Sequence, residues 1–436
     1  MGTIRLAAEF RSVRHMTSGN RTKAADGESV FPVSQTGDRV VLNSAFKRDA
    51  PTRYSELRSR GAVHPVTFAS GVDGWIVVGY EAAREALTHP ALLKDATPAA
   101  ATLEAVGFIA NKKGIGAGSQ MLEADPPDHT RLRRLVAGAF TPKRTGQLAP
   151  RIQQIADSLI DAMPPFGEMD LVTSFTAPLP VTVIAELLGI SEELREDFRV
   201  WSSGALAVGR PEHGPAFAGL RRMLGELIES KRRDPQDDLL SALVAVHDED
   251  DGHLSDEELI GTGILLVIAG HETTVNLLGN AVLAMLSNPE QMRLLREQPG
   301  LMSRAVEEFL LYDTSVEMTT YRYAAEDVEI AGTHILRGSV VAVSLSSANQ
   351  DLSVGERGAA NTLDVTRPST RHLSFGHGIH HCLGAPLARL ETSIALSTLL
   401  RRLPRIELAI PRAQINWIPV GMMRGALAIP VRYQRV

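Results

Sequence analysis

The sequence predicts a mostly helical protein with small β-sheets at its edges, folded as a single domain. Helical periodicity dominates residues 129–140, 146–163, 176–189, 216–232 and 255–310. Strand patterns are short and separated by Gly turns, above all between residues 321 and 346. A chain of 436 residues would ordinarily divide into several domains, but no Gly/Ser linker, low-complexity bridge or fixed-period repeat divides this one. We therefore expect a single domain over residues 31–436, preceded by a flexible extension at residues 1–30.

Further local signals predict the order of elements. GWIVVG, at residues 74–79, predicts a buried strand that leads into a helix at residues 80–90. Residues 91–120 are rich in Ala, Gly and Lys without a period, which predicts a long mobile loop. After residue 346 we expect a structureless stretch of roughly 30 residues, a length that is often functional. One more helix and a strand-like tail, with the segments INWIPV and GALAIPVRY, are expected to follow.

Composition excludes several classes of protein. An apolar content of 44% and a charged content of 22% are typical of a folded globular protein. A net charge of −6 gives no general attraction to nucleic acid or anionic membranes. No stretch approaches the ~20 uninterrupted apolar residues of a membrane-spanning helix, and the N-terminal segment lacks the apolar core of a signal peptide. The single cysteine, Cys382, rules out an internal disulfide, so we expect a cytoplasmic protein.

One long helix is predicted to form the wall of a central site. Ser255 and Glu258 form the capping-box pattern SDEE, and no proline interrupts the chain from there to about Leu286. At 1.5 Å per residue such a helix would span roughly 45 Å. Its middle, GILLVIAGHETTVNLLGNAVL, is apolar on nearly all sides, which predicts burial along its length. Asn288 and Pro289 are then expected to start the next helix.

The segment RHLSFGHGIHHCLGAPLARLE carries the strongest functional signal. Gly376, Gly378 and Gly384 bracket Cys382, so the backbone can closely approach a flat and bulky group. Pro386 and the helical spacing of the leucines around it place Cys382 at or just before a helix N-terminus. The helix dipole and the N–H groups there are expected to lower the pKa of the thiol and to favour the thiolate.

Cys382 could also have a purely structural role or belong to a zinc site. A lone cysteine is most often a small buried hydrophobic residue. Zinc is the second alternative, because His377, His380 and His381 stand close to Cys382. Structural zinc sites, however, prefer Cys-x-x-Cys or His-x-x-x-His spacings with a second ligand pair, and this chain has no further cysteine.

FGHGIHHCLG matches, at every specified position, the heme-binding signature Phe-Gly-x-Gly-x-His/Arg-x-Cys-x-Gly, and on this motif the chain resembles the cytochrome P-450 family. The resemblance covers nearly the whole chain. It implies the P-450 fold, in which heme b (iron protoporphyrin IX) lies between the long central helix and the cysteine loop. It also implies Cys382 as the thiolate ligand of the iron, which favours O–O cleavage. Phe375, Gly376, His380 and Gly384 would then lie beside the cofactor.

A second motif, AGHETT, lies midway along the long helix. A buried acid is costly unless it has a partner. A mid-helix threonine can bond the carbonyl four residues back, which bends the helix and makes room for water. By itself this motif is weak evidence for a catalytic role, because a structural threonine and a surface glutamate would explain it as well. It resembles the family's Ala/Gly-Gly-x-Asp/Glu-Thr motif, which implies that Thr273 steadies the iron–oxygen unit, Glu272 helps to relay protons and Ala269 contacts the heme.

Cationic residues from three separated segments are candidates for binding the two carboxylates of heme. In DPPDHTRLRR, His129 and Arg133 stand four residues apart on one helix face, which without context would be a solvated basic surface. The string resembles the family's Asp-Pro-Pro-x-His-Thr-x-x-Arg segment, whose His and Arg bind the propionates. The same alignment implies Arg322 and His380 as further partners, since buried carboxylates need neutralising charges.

The chain departs from the family pattern in two places. Where the family has Glu-x-x-Arg, Glu308 is followed three residues later by Leu311. The loss of that arginine would leave Glu308 short of donors, at a cost of about 1–3 kcal/mol. We predict that Arg367 pairs with Glu308, helped by Arg304. Gln350, in ANQD, stands where Ala-Asn-Arg-Asp is usual, and the common Phe-Pro element is missing after it. Both departures bear on stability and heme retention more than on chemistry.

The resemblance implies a monooxygenase that oxidises a small lipophilic substrate. Nothing in the chain resembles a flavin or iron–sulfur domain, so a ferredoxin and its reductase are the expected electron donors. Arg131, Arg134 and Arg389 are candidates for a docking face, or equally for an ordinary solvated surface. We expect no nucleic acid or membrane partner, and a monomer. By analogy with soluble actinobacterial enzymes, the substrate would be a polyketide, peptide or terpenoid.

Five segments are expected by resemblance to contact the substrate, and they are largely apolar or small, which suits a lipophilic guest. They are residues 91–115, residues 200–215, Leu265–Ala269, Val316–Thr320 and Val420–Met423. Glu317 and His213 are the charged anchors that stand out. Hydroxylation or epoxidation is the leading hypothesis. Phenol coupling, ring formation, desaturation or isomerisation on the same fold is the first rival, and a non-catalytic heme-binding partner or sensor protein is the second.

Overall fold

The computed structural model describes residues 39–110, 120–140, 142–205, 211–248, 254–351, 361–368 and 371–436. Arg39–Val436 forms one compact unit. The predicted extension at residues 1–30 lies outside the described residues, so the domain boundary at residue 31 stays a prediction.

Helices dominate this part of the chain, as the sequence predicted. Those of the first half are α1 (Ser44–Arg48), α2 (Ala50–Arg60), α3 (Tyr80–Thr88), α4 (Ala100–Glu104), α5 (Asp128–Ala139), α6 (Pro142–Gln147), α7 (Ala149–Asp161), α8 (Pro178–Leu187) and α9 (Arg195–Ala205). Those of the second half are α10 (His213–Arg233), α11 (Leu239–Asp248), α12 (Asp256–Ser287), α13 (Pro289–Glu297), α14 (Met302–Tyr312), α15 (Leu345–Asn349) and α16 (Ala385–Arg402).

Three small sheets border the helices. Their strands are β1 (Val40–Leu42), β2 (Val63–Phe68), β3 (Asp73–Val77), β4 (Leu92–Leu93), β5 (Phe166–Asp170), β6 (Arg322–Ala324), β7 (Val328–Ile330), β8 (Thr333–Ile335), β9 (Val340–Val343), β10 (Arg405–Leu408) and β11 (Pro430–Gln434). The largest sheet has the order β1-β2-β3-β9-β6-β4, the second β10-β11-β5, and the third pairs β7 with β8. The strands predicted between residues 321 and 346 therefore fall into two different sheets.

The predicted long helix is α12, and its capping box is confirmed. The Glu258 N–H donates to Ser255 Oγ over 3.2 Å, and the Ser255 N–H donates to Glu258 Oε2 over 2.8 Å. By length and composition alone α12 could cross a membrane, but half of its most apolar window is buried within the protein, which is the pattern of a core helix. The predicted burial is thus confirmed along much of α12.

Several boundaries differ from the prediction, for identifiable reasons. The helical pattern at residues 255–310 is three helices: the predicted new helix at Asn288 and Pro289 is confirmed, and a further break that was not predicted lies at the 3-10 turn Pro299–Leu301. Residues 91–110, predicted as loop, contain β4 and α4. Helix α2 was not predicted, since its sequence buries little beyond Tyr54 and Leu57 and so shows a weak apolar period. INWIPV forms only a single bridge, from Trp417 to Ala426.

Two hydrophobic clusters hold the cysteine loop against the middle of α12. Leu383, next to Cys382, packs against the cluster that contains Ile264 and Val267 of α12. Leu387, one turn further on, belongs to the cluster that contains Leu277. The two functional motifs of the sequence are therefore neighbours in the core.

Candidate active site

The cysteine loop is a short, closed turn that precedes α16. The Cys382 N–H donates to the Phe375 carbonyl over 2.8 Å, and the Gly376 N–H donates to the Leu373 carbonyl over 2.7 Å. Gly376 has a φ of 73°, in the left-handed region that favours glycine. A Cβ on Gly384 would lie 3.8 Å from Cys382 Sγ, so its missing side chain keeps the space beside the sulfur clear.

The expected lowering of the thiol pKa is wrong. Burial raises the pKa of the Cys382 thiol, although the backbone N–H groups of Gly384 and Ala385 and the charges of Arg133 and Arg389 act in the opposite direction. Cys382 is nevertheless exposed by surface area, because its side chain borders open space while protein atoms crowd its other sides. Desolvation is thus the larger effect on the thiol pKa, and a cation bound at the sulfur would favour the thiolate.

No zinc site surrounds this cysteine. Within the described ranges, no group of three or more His, Cys, Asp or Glu side chains is placed to hold a metal ion. His380 instead lies beside His129, with ring centroids 4.4 Å apart. The other two histidines of the loop do not join Cys382 in a ligand set, so the cysteine remains a single sulfur donor.

The four side chains predicted to bind the propionates come together, and several of their buried nitrogens lack partners. In the described part of the chain, both ring nitrogens of His129, Nε2 of His380 and Nε of Arg322 are buried without a hydrogen bond. Burial and then the neighbouring charges of Lys94, Arg322 and His129 lower the pKa of His380 to about 2. Burial likewise lowers the pKa of Arg322 to about 10. Arg133 donates to the His381 carbonyl over 2.7 Å, at the edge of this group. The acids that act on this cluster are Asp125 and Glu123, but the buried nitrogens named above still lack an acceptor, so the cluster fits a bound dianion.

Lys94 belongs to the same cluster, although the sequence did not predict it. It is only 4% exposed, and its Nζ donates to the Tyr321 carbonyl over 2.9 Å. Its pKa lies well below the usual value, because of burial and then of the charge of Arg322. Antiparallel pairing of β4 with β6 brings Lys94 close to Arg322. No local signal distinguishes this lysine, since an isolated lysine in a polar segment is ordinarily solvated.

The AGHETT segment presents a small notch on α12. Thr273 Oγ1 donates to the Ala269 carbonyl over 2.7 Å, which confirms the predicted back-bond. Ala269 is exposed and Thr273 half-buried, whereas His271 on another face is 5% exposed. Burial raises the pKa of the Glu272 carboxyl. The notch therefore combines a hydroxyl with an acid that holds its proton to a higher pH than usual.

The carboxylate behind the loop, Glu308, has the partner that the sequence predicted. Arg367 Nε donates to Glu308 Oε2 over 2.9 Å, and the Asp364 N–H donates to Oε1 over 2.9 Å. The predicted help from Arg304 is not confirmed, because the contact shown for Arg304 is a 3.2 Å hydrogen bond to the Thr366 carbonyl. Glu308 is 3% exposed. The pairing with Arg367 is confirmed, and it joins α14 to the segment before the cysteine loop.

Leu311, which replaces the usual arginine, lies at the edge of a separate cavity. The cavity has a volume of about 150 Å³. Its lining includes three arginines and one aspartate, namely Arg58, Arg412, Arg424 and Asp313. The surroundings of Leu311 are therefore already rich in positive charge.

Comparison with known proteins decides the family. The family model described as cytochrome P-450 matches residues 216–409. The cytochrome P-450 monooxygenase PikC of Streptomyces venezuelae is 43% identical over 402 residues, which cover 91% of this chain and 94% of PikC. The chain belongs to the cytochrome P-450 family.

Solved P-450 structures share the fold over nearly their whole length. The tirandamycin C-bound monooxygenase TamI superposes with a TM-score of 0.82 at 39% identity, covering 90% of this chain and 99% of TamI. CxnD, described as a P-450 enzyme for C–S bond formation in chuangxinmycin biosynthesis, gives a TM-score of 0.83 at 39% identity, covering 93% of this chain and all of CxnD. This P-450 is a monooxygenase, and its cofactor is heme b.

The residues of this P-450 fit that cofactor. The unpartnered nitrogens of His129, Arg322 and His380 suit the two propionates, which are acceptors that carry two negative charges. Cys382 offers one sulfur on the open side of a loop that Gly384 keeps clear.

Two of the expected substrate segments of the P-450 meet in the fold. Val316 and Met423 form an antiparallel bridge, so the segments Val316–Thr320 and Val420–Met423 are neighbours. Glu317 does not serve as a free charged anchor, because it is 2% exposed and its carboxylate accepts from Lys47 Nζ over 2.9 Å. The remaining candidate, His213, forms a hydrogen bond of 2.9 Å with the Ala205 carbonyl. Residues 111–115 and 206–210 of the other predicted segments lie outside the described residues.

Proposed function

We propose that this enzyme hydroxylates or epoxidises a lipophilic natural-product intermediate, with O2 and with electrons from a ferredoxin and its reductase. The observation that carries the proposal is the group of buried, unpartnered nitrogens on His129, Arg322 and His380 beside the loop of Cys382. A heme-thiolate monooxygenase needs this combination of dianion binder and single sulfur donor. A cytoplasmic, monomeric protein without nucleic acid or membrane partners is part of the proposal.

Each residue near the cofactor has an assigned role. Cys382 ligates the iron, while His129, Arg133, Arg322 and His380 bind the propionates, joined by the buried cation of Lys94. Phe375, Gly376, Gly384 and Ala269 contact the macrocycle. When bound, heme with a thiolate ligand supplies the activation of dioxygen.

Proton transfer falls to two side chains of α12. Glu272 keeps its proton to a higher pH because burial raises its pKa, so the carboxyl can act as a proton donor at neutral pH more readily than an exposed acid. Thr273 directs its own proton to the Ala269 carbonyl, which leaves its oxygen free to accept a hydrogen bond. We assign Glu272 as the acid and Thr273 as the hydroxyl whose oxygen accepts a hydrogen bond and so steadies the group bound beside it.

The substrate and donor assignments rest on chemistry and on the relatives. TamI was solved with tirandamycin C, and CxnD is described in chuangxinmycin biosynthesis, so relatives of this fold act on natural products. For the electron donor, Arg134 is an exposed cation, whereas Arg131 and Arg389 are held by Glu258 and Glu307. Docking of an acidic ferredoxin would therefore rest on Arg134 and on the exposed part of Arg389. The rate at which a ferredoxin reduces the enzyme, measured at increasing salt concentration, tests this docking. The rate should fall with salt in the wild type and fall less in Arg134→Glu.

A reduced carbon monoxide spectrum tests the heme assignment. The Soret band of the reduced carbon monoxide complex is expected at about 450 nm. Cys382→His should shift this band toward about 420 nm. A wild-type band at the shorter wavelength would refute native thiolate ligation. Natural-product libraries screened for spin-state shifts of the ferric heme then identify the substrate.

The second candidate is an atypical oxidation on the same fold. The description of CxnD as an enzyme for C–S bond formation supports this second candidate. The Glu272–Thr273 pair favours oxygen insertion. Products formed under labelled dioxygen decide between them, because insertion transfers label to the product and coupling does not.

A further inference from the structure

The C-terminal turn of α14 is completed by side chains from two other segments. The last carbonyls of a helix have no partners within the helix. Here the Leu310 carbonyl accepts from Ser374 Oγ over 2.7 Å, and the Tyr312 carbonyl accepts from Gln350 Nε2 over 2.9 Å. The Leu311 carbonyl accepts from the same amide over 3.3 Å. Thus α14 is tied to α15 and to the start of the cysteine loop at one point.

Asn349 lies at the centre of these contacts and uses its whole amide. Its Oδ1 accepts from the Leu373 N–H over 2.7 Å. Its Nδ2 donates to Ser374 Oγ over 2.7 Å and to the Leu310 carbonyl over 3.4 Å. Asn349 is 0% exposed and Ser374 7% exposed. Because the Leu373 N–H can only donate and the Leu310 carbonyl can only accept, the amide has a single satisfied orientation.

The same contacts lead directly to the sulfur ligand. The Leu373 carbonyl accepts from the Gly376 N–H, and the Phe375 carbonyl accepts from the Cys382 N–H. Asn349 holds the backbone of Leu373 from the other side, so its amide, the two turns of the loop and Cys382 form one continuous hydrogen-bonded path.

The two departures from the family pattern meet at the C-terminal turn of α14, where it contacts α15 and the cysteine loop; this contact region is called the joint. Gln350 replaces the usual arginine of ANRD, and its amide donates to the carbonyl of Leu311, the residue that replaces the arginine of Glu-x-x-Arg. This bond reaches the backbone of Leu311 rather than its side chain, but both residues also line one cavity, which brings the two positions together although they are far apart in sequence. The carbonyls at the end of α14 are therefore satisfied here by neutral amides and a hydroxyl.

We propose that Asn349, with Ser374, is the positioning residue for the Cys382 loop, and that Gln350 and Leu311 form a coupled pair that completes this joint. The proposal rests on the heme-thiolate function given above. Asn349 does not touch the sulfur. It fixes the Leu373–Ser374 backbone, from which the loop closes on Cys382.

Spectra and heme release of purified holoenzyme variants test the proposal. Ser374→Ala removes the hydroxyl, and Asn349→Asp keeps the acceptor for Leu373 but removes the donor. Both should convert a larger share of the reduced carbon monoxide complex to the form near about 420 nm. Transfer of heme to an acceptor apoprotein should accelerate by roughly tenfold, as for other residues that orient a metal ligand.

Two control variants separate positioning from general destabilisation. Ser374→Thr keeps the hydroxyl and should retain the wild-type spectrum and release rate. Ser346→Ala, on the same helix α15 as Asn349, removes a hydroxyl whose partner is Ser344 rather than the loop, and it should leave both readouts unchanged. Wild-type spectra and release rates in both Ser374→Ala and Asn349→Asp would overturn the proposal.

The coupled pair has its own readout. Gln350→Arg and Leu311→Arg should each accelerate heme release, and the double variant should differ from the product of the two single effects. Strictly multiplicative effects would overturn the coupling. A wild-type band near about 420 nm would instead overturn the proposed function and this inference with it.

Discussion

Replacement of Arg367 by methionine tests the ion pair that Glu308 keeps in the absence of the Glu-x-x-Arg arginine. The change leaves the Glu308 carboxylate, which is 3% exposed, with the Asp364 N–H as its remaining described donor. Removal of one partner of a buried ion pair costs about 3–5 kcal/mol. Because the Arg367 side chain is itself 11% exposed, water can reach the site, and we expect the lower end, about 3 kcal/mol.

The loss of stability should depend on pH, in a direction that follows from the pKa of Glu308. Burial raises the pKa of Glu308, and Arg367 opposes this shift. A carboxyl with a raised folded-state pKa favours folding when protonated, and this stabilisation is lost as the pH rises through that pKa. In Arg367→Met the Glu308 pKa rises further. The variant should therefore be as stable as the wild type at about pH 4. It should show the full predicted loss of stability only toward neutral pH.

Urea titrations of the apoprotein and holoenzyme at both pH values measure the effect, with the double variant Glu308→Gln/Arg367→Met as the matched control. The double variant removes the buried charge as well, so it should recover much of the loss. A loss below about 0.5 kcal/mol at neutral pH, or one independent of pH, would refute the reasoning.

Three further predictions concern the cavity, the cation cluster and the proton donor. Leu311→Arg restores the family residue but should lower the free energy of unfolding by about 1–3 kcal/mol, since it overpacks a buried site beside three arginines; a higher melting temperature would contradict this. Lys94→Met should accelerate heme loss but change the stability of the apoprotein little, because removal of the buried cation is offset by the loss of its hydrogen bonds to Thr320 and Tyr321; an unchanged rate of heme loss would count against its assignment to the propionates. Glu272→Gln should slow product formation by about 100-fold while leaving the carbon monoxide spectrum unchanged, as stopped-flow and product analysis will show.

The sequence was informative wherever a motif is local. The capping box at Ser255 and the back-bond of Thr273 depend on residues three or four apart, so the pattern alone predicts the contact. The length and burial of α12 follow from one uninterrupted apolar run. The cysteine motif likewise spans ten residues, and its glycines determine the turn.

Prediction failed where the deciding partner is distant. Lys94 becomes part of the site only because β4 pairs with β6, and nothing near it in sequence marks it. Glu317 looked like a free anchor until the fold placed Lys47 against it. The predicted direction of the Cys382 pKa shift was wrong. The effects of the helix dipole and of nearby N–H groups can be inferred from the local sequence, whereas desolvation depends on the whole surrounding fold.

By itself the sequence determined the helical class, the long core helix and the candidate cofactor residues, and it predicted the pairing of Arg367 with Glu308. Only the tertiary structure decided that Leu311 and Gln350 are in contact and that Asn349 connects α14 to the Cys382 loop. The reason is physical: helix caps and turns involve neighbours along the chain, but the satisfaction of a buried polar group depends on which distant segment packs against it.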